Sequence, residues 1–550
     1  MKTKNKLLSG AFWMMLGNIL SRVLGIVYLI PWLIMIGSPE KQNAAQAIFN
    51  AAYTPYALFL SLGTAGFPTA IARQVAGYNG QNKFKNSLRV LKVALGFMLF
   101  TGLTCGIVLY VTAPAIAKSS AVVSSEVATT AIRVMVPTLV ILPPMSLIRG
   151  FYLGNNDTKP FAVSQLWEQL VRVLFILSMT YFIIYMQNGS YIKAVNYSTF
   201  ATFVGAIASY LYLIYYAFRK LPEYKKRYQE SLPVDNHQLG HVFSGIIKDA
   251  LPFIYIGSAV TIYQFIDQIT FKSIIVGLTG MDKLQAQNLY TYFSANPNKI
   301  TTVVVSLTIA IAATSLPLLA EQSKVGNKGY IRKLIVQNME LMLVTLLPCA
   351  LLLAVLAWEV NGVFFPFNVQ GANLMALALV CSIALALFSD LFMVSQSLGH
   401  HRLAVKMLTV GIVLKLTLQV PLTYFFSAYG TILATAISFG LITLVVFAYL
   451  RRNYLGRGQL GYGLMIILLN IFVGGLAFLT RAGLDLVYIP ETKITAFIYA
   501  AIFGLSFLAL YILMLEKFGL LDRIFGFSLP VIGKKKRSKA TQNPIDNSQD

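Results

Sequence analysis

Charged side chains stranded inside apolar stretches are the residues of this sequence that could do chemistry. Arg22 lies in the middle of the first such stretch, within Ser21-Arg22-Val23-Leu24-Gly25, and Glu168 and Arg172 stand four apart in another. Lys299, Arg133, Lys415, Asp267, Glu340 and Asp390 complete the set. An ionisable group at the centre of a membrane helix costs about 2.5 to 3.5 kcal/mol on insertion scales, so each should face a cavity or a partner. Glu168 and Arg172 share one helical face, as a self-neutralising pair or as a gated pair that releases Arg172 toward a ligand. Arg133 and Lys415 read as packing or pairing between lobes, and Asp267 and Asp390, toward opposite ends of their stretches, as interfacial. Arg22 and Lys299 have no acidic neighbour within one turn and read as contacts for an anion. Several such cations in low dielectric form an electropositive chamber, which suits a phosphate or pyrophosphate and not a cationic drug.

The remaining chemical inventory excludes most enzymes. Cys105, Cys349 and Cys381 lie far apart in apolar stretches, giving neither a metal pattern nor a disulfide framework. His237, His241, His400 and His401 fall in expected loops, and the adjacent His400 and His401 read as a solvated turn. There is no GxxxxGK[ST] phosphate loop and no acidic cluster of the kind that holds magnesium in a glycosyl- or phosphotransferase. The expectation is a carrier with no catalytic residue, no metal and no cofactor.

The elements that must position these charges follow from composition. Of 550 residues, 57% are hydrophobic and 12% charged, with a mean hydropathy of +0.68; soluble domains carry about twice that charge density. The chain therefore reads as an all-α polytopic membrane protein. Continuous runs such as 341–358 show no alternation, so helices rather than barrel strands are expected. Stretches of spanning length can be placed fourteen times, over 8–36, 45–73, 90–115, 124–152, 161–187, 197–218, 246–271, 290–320, 334–358, 372–397, 403–426, 429–450, 461–481 and 494–516. The net charge of +24 resides mostly in every second loop; the other side keeps only Lys41, Lys118, Lys193, Lys272, Lys283, Arg481 and Lys493. This bias puts both termini in the cytoplasm and explains the basic charge without nucleic acid. Trp13, Trp32, Trp167 and Trp358 read as interfacial anchors.

Two stretches six spans apart read alike. Leu153-Gly154, a polar turn and Ala162-Val163 are echoed by Leu398-Gly399 and Ala404-Val405, with Arg172 and Lys415 ten and eleven residues after the matching alanines. Residues 66–74 are echoed by 315–322, each with a proline. An offset of six spans preserves orientation, so the halves are parallel repeats with a substrate cavity between them. The expected organisation is an N-terminal six-helix lobe (1–220), a cytoplasmic interlobe loop (221–245), a C-terminal six-helix lobe (246–452), two further helices (453–520) and a basic tail (521–550) that lies against anionic lipid.

The segments 11–32, 56–79, 150–172 and 427–440 resemble the MurJ/YtgP-type lipid II flippases, stage V sporulation protein B-like members of the multidrug/oligosaccharidyl-lipid/polysaccharide (MOP) exporter superfamily, over nearly the whole chain. The resemblance implies a MATE-like fold and transfer of the lipid-linked peptidoglycan precursor to the outer leaflet of a bacterial plasma membrane, through a cationic cavity with a groove for the lipid tail on the last two helices. It implies substrate contacts at Ser21 and Arg22, which match the family's first-helix Ser-Arg motif, and at Lys299, the counterpart of a cavity cation. Glu168 and Arg172 complete the expected substrate-binding set. The Arg-Asp pair of many Gram-negative members is replaced by Tyr28-Leu29, and their second-helix arginine has no equivalent here. Expected partners are the pyrophosphate glycolipid, membrane lipids and cell-wall synthesis machinery, with a monomeric protein. A flippase for polysaccharide or teichoic-type units, a cation-coupled multidrug exporter and a polyprenyl-phosphate glycosyltransferase are the alternatives.

Overall fold

Backbone polar groups in hydrocarbon have no partner but their own chain, so apolar runs coil. The computed structural model describes residues 17, 20–64, 66–233, 250–312, 315–455 and 462–526, and among these it is helical without a strand. The first half comprises α1 (Leu20–Ile36), α2 (Pro39–Thr64), α3 (Phe67–Gly80), α4 (Phe84–Ser119), α5 (Ser125–Gly154), α6 (Lys159–Met186) and α7 (Tyr191–Gln229). The second comprises α8 (Ala250–Gly257), α9 (Ala259–Ile275), α10 (Lys283–Tyr290), α11 (Asn296–Ala312), α12 (Leu316–Val325), α13 (Lys328–Val355), α14 (Ala357–Phe364), α15 (Val369–Ser397) and α16 (His401–Leu450). α17 (Gly463–Asp485), α18 (Lys493–Lys517) and the short α19 (Leu520–Phe525) follow.

Among the described residues nine helices are long and apolar enough to cross a membrane, ten if α8 and α9, bent by 45°, count as one. α1 enters this count only from Leu20, where the described residues begin to be continuous; the rest of the shortfall from fourteen has physical causes. α2 buries a polar face of Gln42, Asn43, Gln46, Asn50 and Thr54, which lowers its hydropathy. A π-helical turn at Thr291–Ala295 separates α10 from α11. The expected spans 403–426 and 429–450 are two helices, both within α16, turned back on each other at Ser427 (φ 53°) and so counted once. Bonds between residues on either side of the reversal document the hairpin: Thr423 to Thr431 at 2.9 Å, and Ser438 to the Gly411 carbonyl at 2.6 Å. A Cβ at Gly430 would lie 1.8 Å from the Leu422 carbonyl oxygen, so only glycine fits the bend.

Both sequence echoes are structural. Gly66 (φ 79°) and Ser315 each stand before a new helix with proline in its first turn. Leu153-Gly154 and Leu398-Gly399 each close a helix before a turn with positive φ, at Asn156 and Gly399. α7 continues to Gln229, so the expected loop from 219 begins as helix; residues 234–249, with His237 and His241, lie outside the described set.

We call the end bearing Arg73, Lys83, Arg89, Lys328 and Arg402 the basic end. The hydrogen bonds that join the halves cluster at the opposite end. Asn43 donates to Tyr292 (3.0 Å), Asn50 to Tyr290 (2.8 Å) and Ser294 (3.1 Å), Thr291 to the Asn43 carbonyl (3.0 Å), and the Val123 amide to Gln287 (2.9 Å). Toward the basic end, Ser61 meets Thr261 at 2.9 Å where α2 and α9 run side by side. α1 meets the second half through its 29–36 segment, against α14.

α17 and α18 are fastened to α14 by polar contacts, one buried and one half-buried. Arg481 pairs with Glu359 at 2.6 Å and also with Asp485. The Lys493 ammonium donates to the carbonyls of Gly362, Val363 and Phe365 at 2.9, 3.1 and 3.0 Å. Arg481 and Lys493 therefore close an interhelical contact, a use that their position in expected loops does not suggest. Trp32 is a core residue rather than an interfacial anchor: it is buried and donates to Ser198 Oγ at 3.0 Å. Trp358 donates to the Pro490 carbonyl, Trp167 is exposed, and Trp13 lies outside the described residues.

Candidate substrate cavity

Helical spacing decides where Arg22 points. Positions 22, 26, 29 and 33 share one face of α1, and Ile26, Leu29 and Leu33 pack into the protein core. Val23, Val27 and Ile34 lie on other faces and are exposed. Arg22 is nevertheless exposed, on a face of α1 whose other members are packed. It is within electrostatic reach of Tyr53, itself exposed, and forms no ion pair among the described residues.

Ser21 is one position round the helix. With Gly17 and Gly25 it forms a small-residue stripe, and Cβ atoms at the two glycines would lie 3.3 Å from Ala162 and Gln169 of α6. The two glycines set the α1–α6 approach, with half-buried Ser21 between them.

Lys299 is not free in the chamber. It sits where the halves meet, bonded to Gln46 of α2 and 5.5 Å from the centre of the Phe49 ring. Phe49 stacks on Tyr53 (6.0 Å between centroids), and Tyr53 lies against Tyr56 (5.6 Å). This aromatic row on α2 runs from Lys299 to the neighbourhood of Arg22 and Arg172.

Glu168 and Arg172 form the expected i,i+4 pair at 2.9 Å. The pair has a third member: Arg149 of α5 reaches the other Glu168 oxygen at 2.8 Å and bonds to Ser164 and Ser209, both at 2.9 Å. Arg149 reads as a loop charge in the sequence. Its one signal there is the apolar setting, LIRGFYLG, without polar neighbours. The triad carries one net positive charge. Gly205 of α7 lets it close, since a Cβ there would meet the Glu168 carbonyl at 2.6 Å.

The chamber is less cationic than an unpaired count suggests. Lys415 is fully buried and pairs with Asp267 at 2.6 Å, both in the second half, so Asp267 is not interfacial. Asp390 is also buried, its two oxygens each 2.8 Å from the Asn338 amide. Glu340 holds Arg523, and Arg133 lies 4.4 Å over the Tyr110 ring. The structure thus brings Arg22, Tyr53 and the Arg149–Glu168–Arg172 triad toward one region of the first half. It puts Lys299 at the seam and leaves Lys415 out.

Comparison with known proteins agrees with this architecture. A model of the family described as polysaccharide biosynthesis protein matches residues 7–323. The chain is 30% identical to the lipid II flippase MurJ of Bacillus subtilis, over 97% of this chain and 99% of that one. A solved structure of lipid II flippase MurJ in an inward closed conformation shares the fold with a TM-score of 0.60 at 12% identity, covering 93% of this chain and 99% of that one. An inward-facing multidrug resistance MATE family transporter of the MOP superfamily shares it at 0.57 and 15% identity, over 79% and 94%.

Proposed function

We propose, from the premise that this chain belongs to the polysaccharide biosynthesis protein family and within it stands with the lipid II flippase MurJ, that it is a transporter which moves lipid II across the membrane. The observation that carries the reading is the 30% identity with that flippase over nearly the full length of both chains, joined to an exposed cation on the packed face of α1, Arg22, with no ion pair among the described residues.

The lysine and arginine bias supports a basic end in the cytoplasm, with both termini there, in a bacterial plasma membrane. On that assignment the halves are sealed on the outer side, and the cavity is accessible from inside. Arg22 engages the substrate pyrophosphate, the triad adds one positive charge to the wall, and Tyr53 offers a surface for a sugar ring. Lys299 acts second: while bonded to Gln46 it holds the seal, and an arriving anion competes for its ammonium and loosens the seam. Rocking of the halves then exposes the headgroup outside. The tail remains in lipid along α17 and α18. The working unit is a monomer, with cell-wall synthesis enzymes as its neighbours. Transmembrane potential, worth about 2.3 kcal/mol per charge per 100 mV, supplies a bias for charge movement.

The test is depletion of the protein in its host, in a strain lacking any paralogue, with lipid II at the cell surface followed by an external probe. A fall in surface lipid II with a rise in the inner pool is the expected result. Unchanged lipid II with accumulation of another lipid-linked sugar would retain the fold and overturn the substrate.

A further inference from the structure

A cavity of about 1000 Å³ opens at the basic end of the second half, away from the space between the halves. Its wall is the start of α13, closed by Tyr462 before α17 and by α19. It follows α13 from Gly329 to Leu341, roughly 18 Å of helix at 1.5 Å per residue. Three cations line it: Arg332, Lys333 and Arg523.

The one carboxylate among the described lining residues is already committed. Glu340 accepts from the Tyr462 amide at 2.9 Å and from Arg523 at 3.2 and 3.4 Å, and Arg523 lies 4.1 Å over the Tyr462 ring. Asp390 is behind the wall, with both oxygens held by Asn338. Arg332 and Lys333 make no ion pair among the described residues, and Arg332 Nε is buried without a hydrogen-bond partner. A buried guanidinium nitrogen left in this state calls for an anionic acceptor. Leu318, Leu334, Val336, Leu341 and Ile524 form the apolar part of the lining. A lining that combines cationic and aliphatic side chains suits a phosphate carried on a lipid.

The geometry points to a second anion site, in which Arg332 and Lys333 bind the phosphate of an anionic lipid headgroup while Arg523, fixed by Glu340 and Tyr462, closes the pocket. It is separate from Arg22 and the cavity between the halves. Its position against α17 and α19 makes the bound lipid a brace for the C-terminal helices.

The probe is phosphatidylglycerol. Full-length protein in nanodiscs of phosphatidylcholine, with and without phosphatidylglycerol, is examined by native mass spectrometry for lipids that survive delipidation. Wild type is expected to retain phosphatidylglycerol, and Arg332→Gln/Lys333→Gln to bind it about tenfold or more weakly, the scale of a lost charge-assisted contact. Arg332→Lys/Lys333→Arg, which keeps the charge, should bind as wild type does. Added inorganic pyrophosphate separates the sources: no displacement supports a lipid-borne phosphate, and displacement at millimolar concentration supports the phosphate site with a soluble ligand. Equal retention by wild type and the glutamine variant, or equal loss in the charge-preserving variant, would overturn the proposal.

Discussion

Arg149 and Glu168, on different helices, are joined at 2.8 Å through one carboxylate oxygen while the other holds Arg172 at 2.9 Å. Removing the carboxylate leaves two guanidiniums facing each other in low dielectric. Breaking one partner of a buried pair costs about 3 to 5 kcal/mol in soluble proteins. Glu168→Gln should therefore lower the melting temperature of the purified protein by several degrees, and Glu168→Gln/Arg149→Met should recover part of the loss. Thermal unfolding followed by intrinsic fluorescence decides it; an unshifted melt would show the triad to be dispensable for folding.

Arg22 lies on the packed face of α1 yet touches no carboxylate among the described residues, so its substitution should spare the fold and remove transport. Arg22→Ala is expected to insert at wild-type levels and to lose flipping by at least about tenfold, the scale of a charge-assisted contact. Arg22→Lys should retain a fraction, because an ammonium keeps the charge and loses the two-pronged geometry. Complementation with a membrane-level blot is the measurement, and full activity of Arg22→Ala would take it out of the mechanism.

Thr291 donates to the Asn43 carbonyl across the seam at 3.0 Å, which places the two residues side by side. Asn43→Cys/Thr291→Cys should cross-link under oxidation and arrest flipping, with reductant restoring it. Transport that continues in the cross-linked protein would mean that the seal does not open in the cycle.

Glu359 is fully buried against Arg481. Arg481→Leu strands that carboxylate and should destabilise the attachment of α17 and α18, whereas Arg481→Leu/Glu359→Leu should be closer to wild type. Protease sensitivity of the 481–493 region reports the outcome, and equal resistance in all three proteins would refute it.

His400 sits in the turn before α16, its ring 2.8 Å from the Tyr454 hydroxyl. Burial, and then the neighbouring His401, lower its pKa below the ordinary value. The folded state thus favours the neutral ring: the contribution is present above the unfolded pKa and is lost as pH falls through the folded one. The melting temperature should drop between pH 7.5 and 5.5, and less so in His400→Gln. An identical drop in both would place the titration elsewhere.

Hydropathy and charge bias make the membrane class legible from sequence, the i,i+4 spacing the Glu168–Arg172 pair, and the repeated motifs the parallel duplication, because each is written along the chain itself. Arg149 at Glu168, Lys415 at Asp267 and Arg481 at Glu359 are not legible, since their partners come from other helices and no local pattern announces them. Trp32 fails for a related reason: its place near the end of an apolar run suits an anchor, and only the packing of α7 supplies Ser198. α2 escapes a hydropathy count because the polar face that seals the halves dilutes its apolar average.

The clamp formed by Arg481 and Lys493 ties the last two long helices to one half of the molecule. In the proposed cycle they would move with that half as one frame. A prenyl chain resting on them would then keep a constant distance from the second half's own groups, while its distance to Arg22 changed with every stroke. The headgroup and its tail would travel on different parts of the machine, and the slack between them would have to come from the substrate's own rotatable bonds.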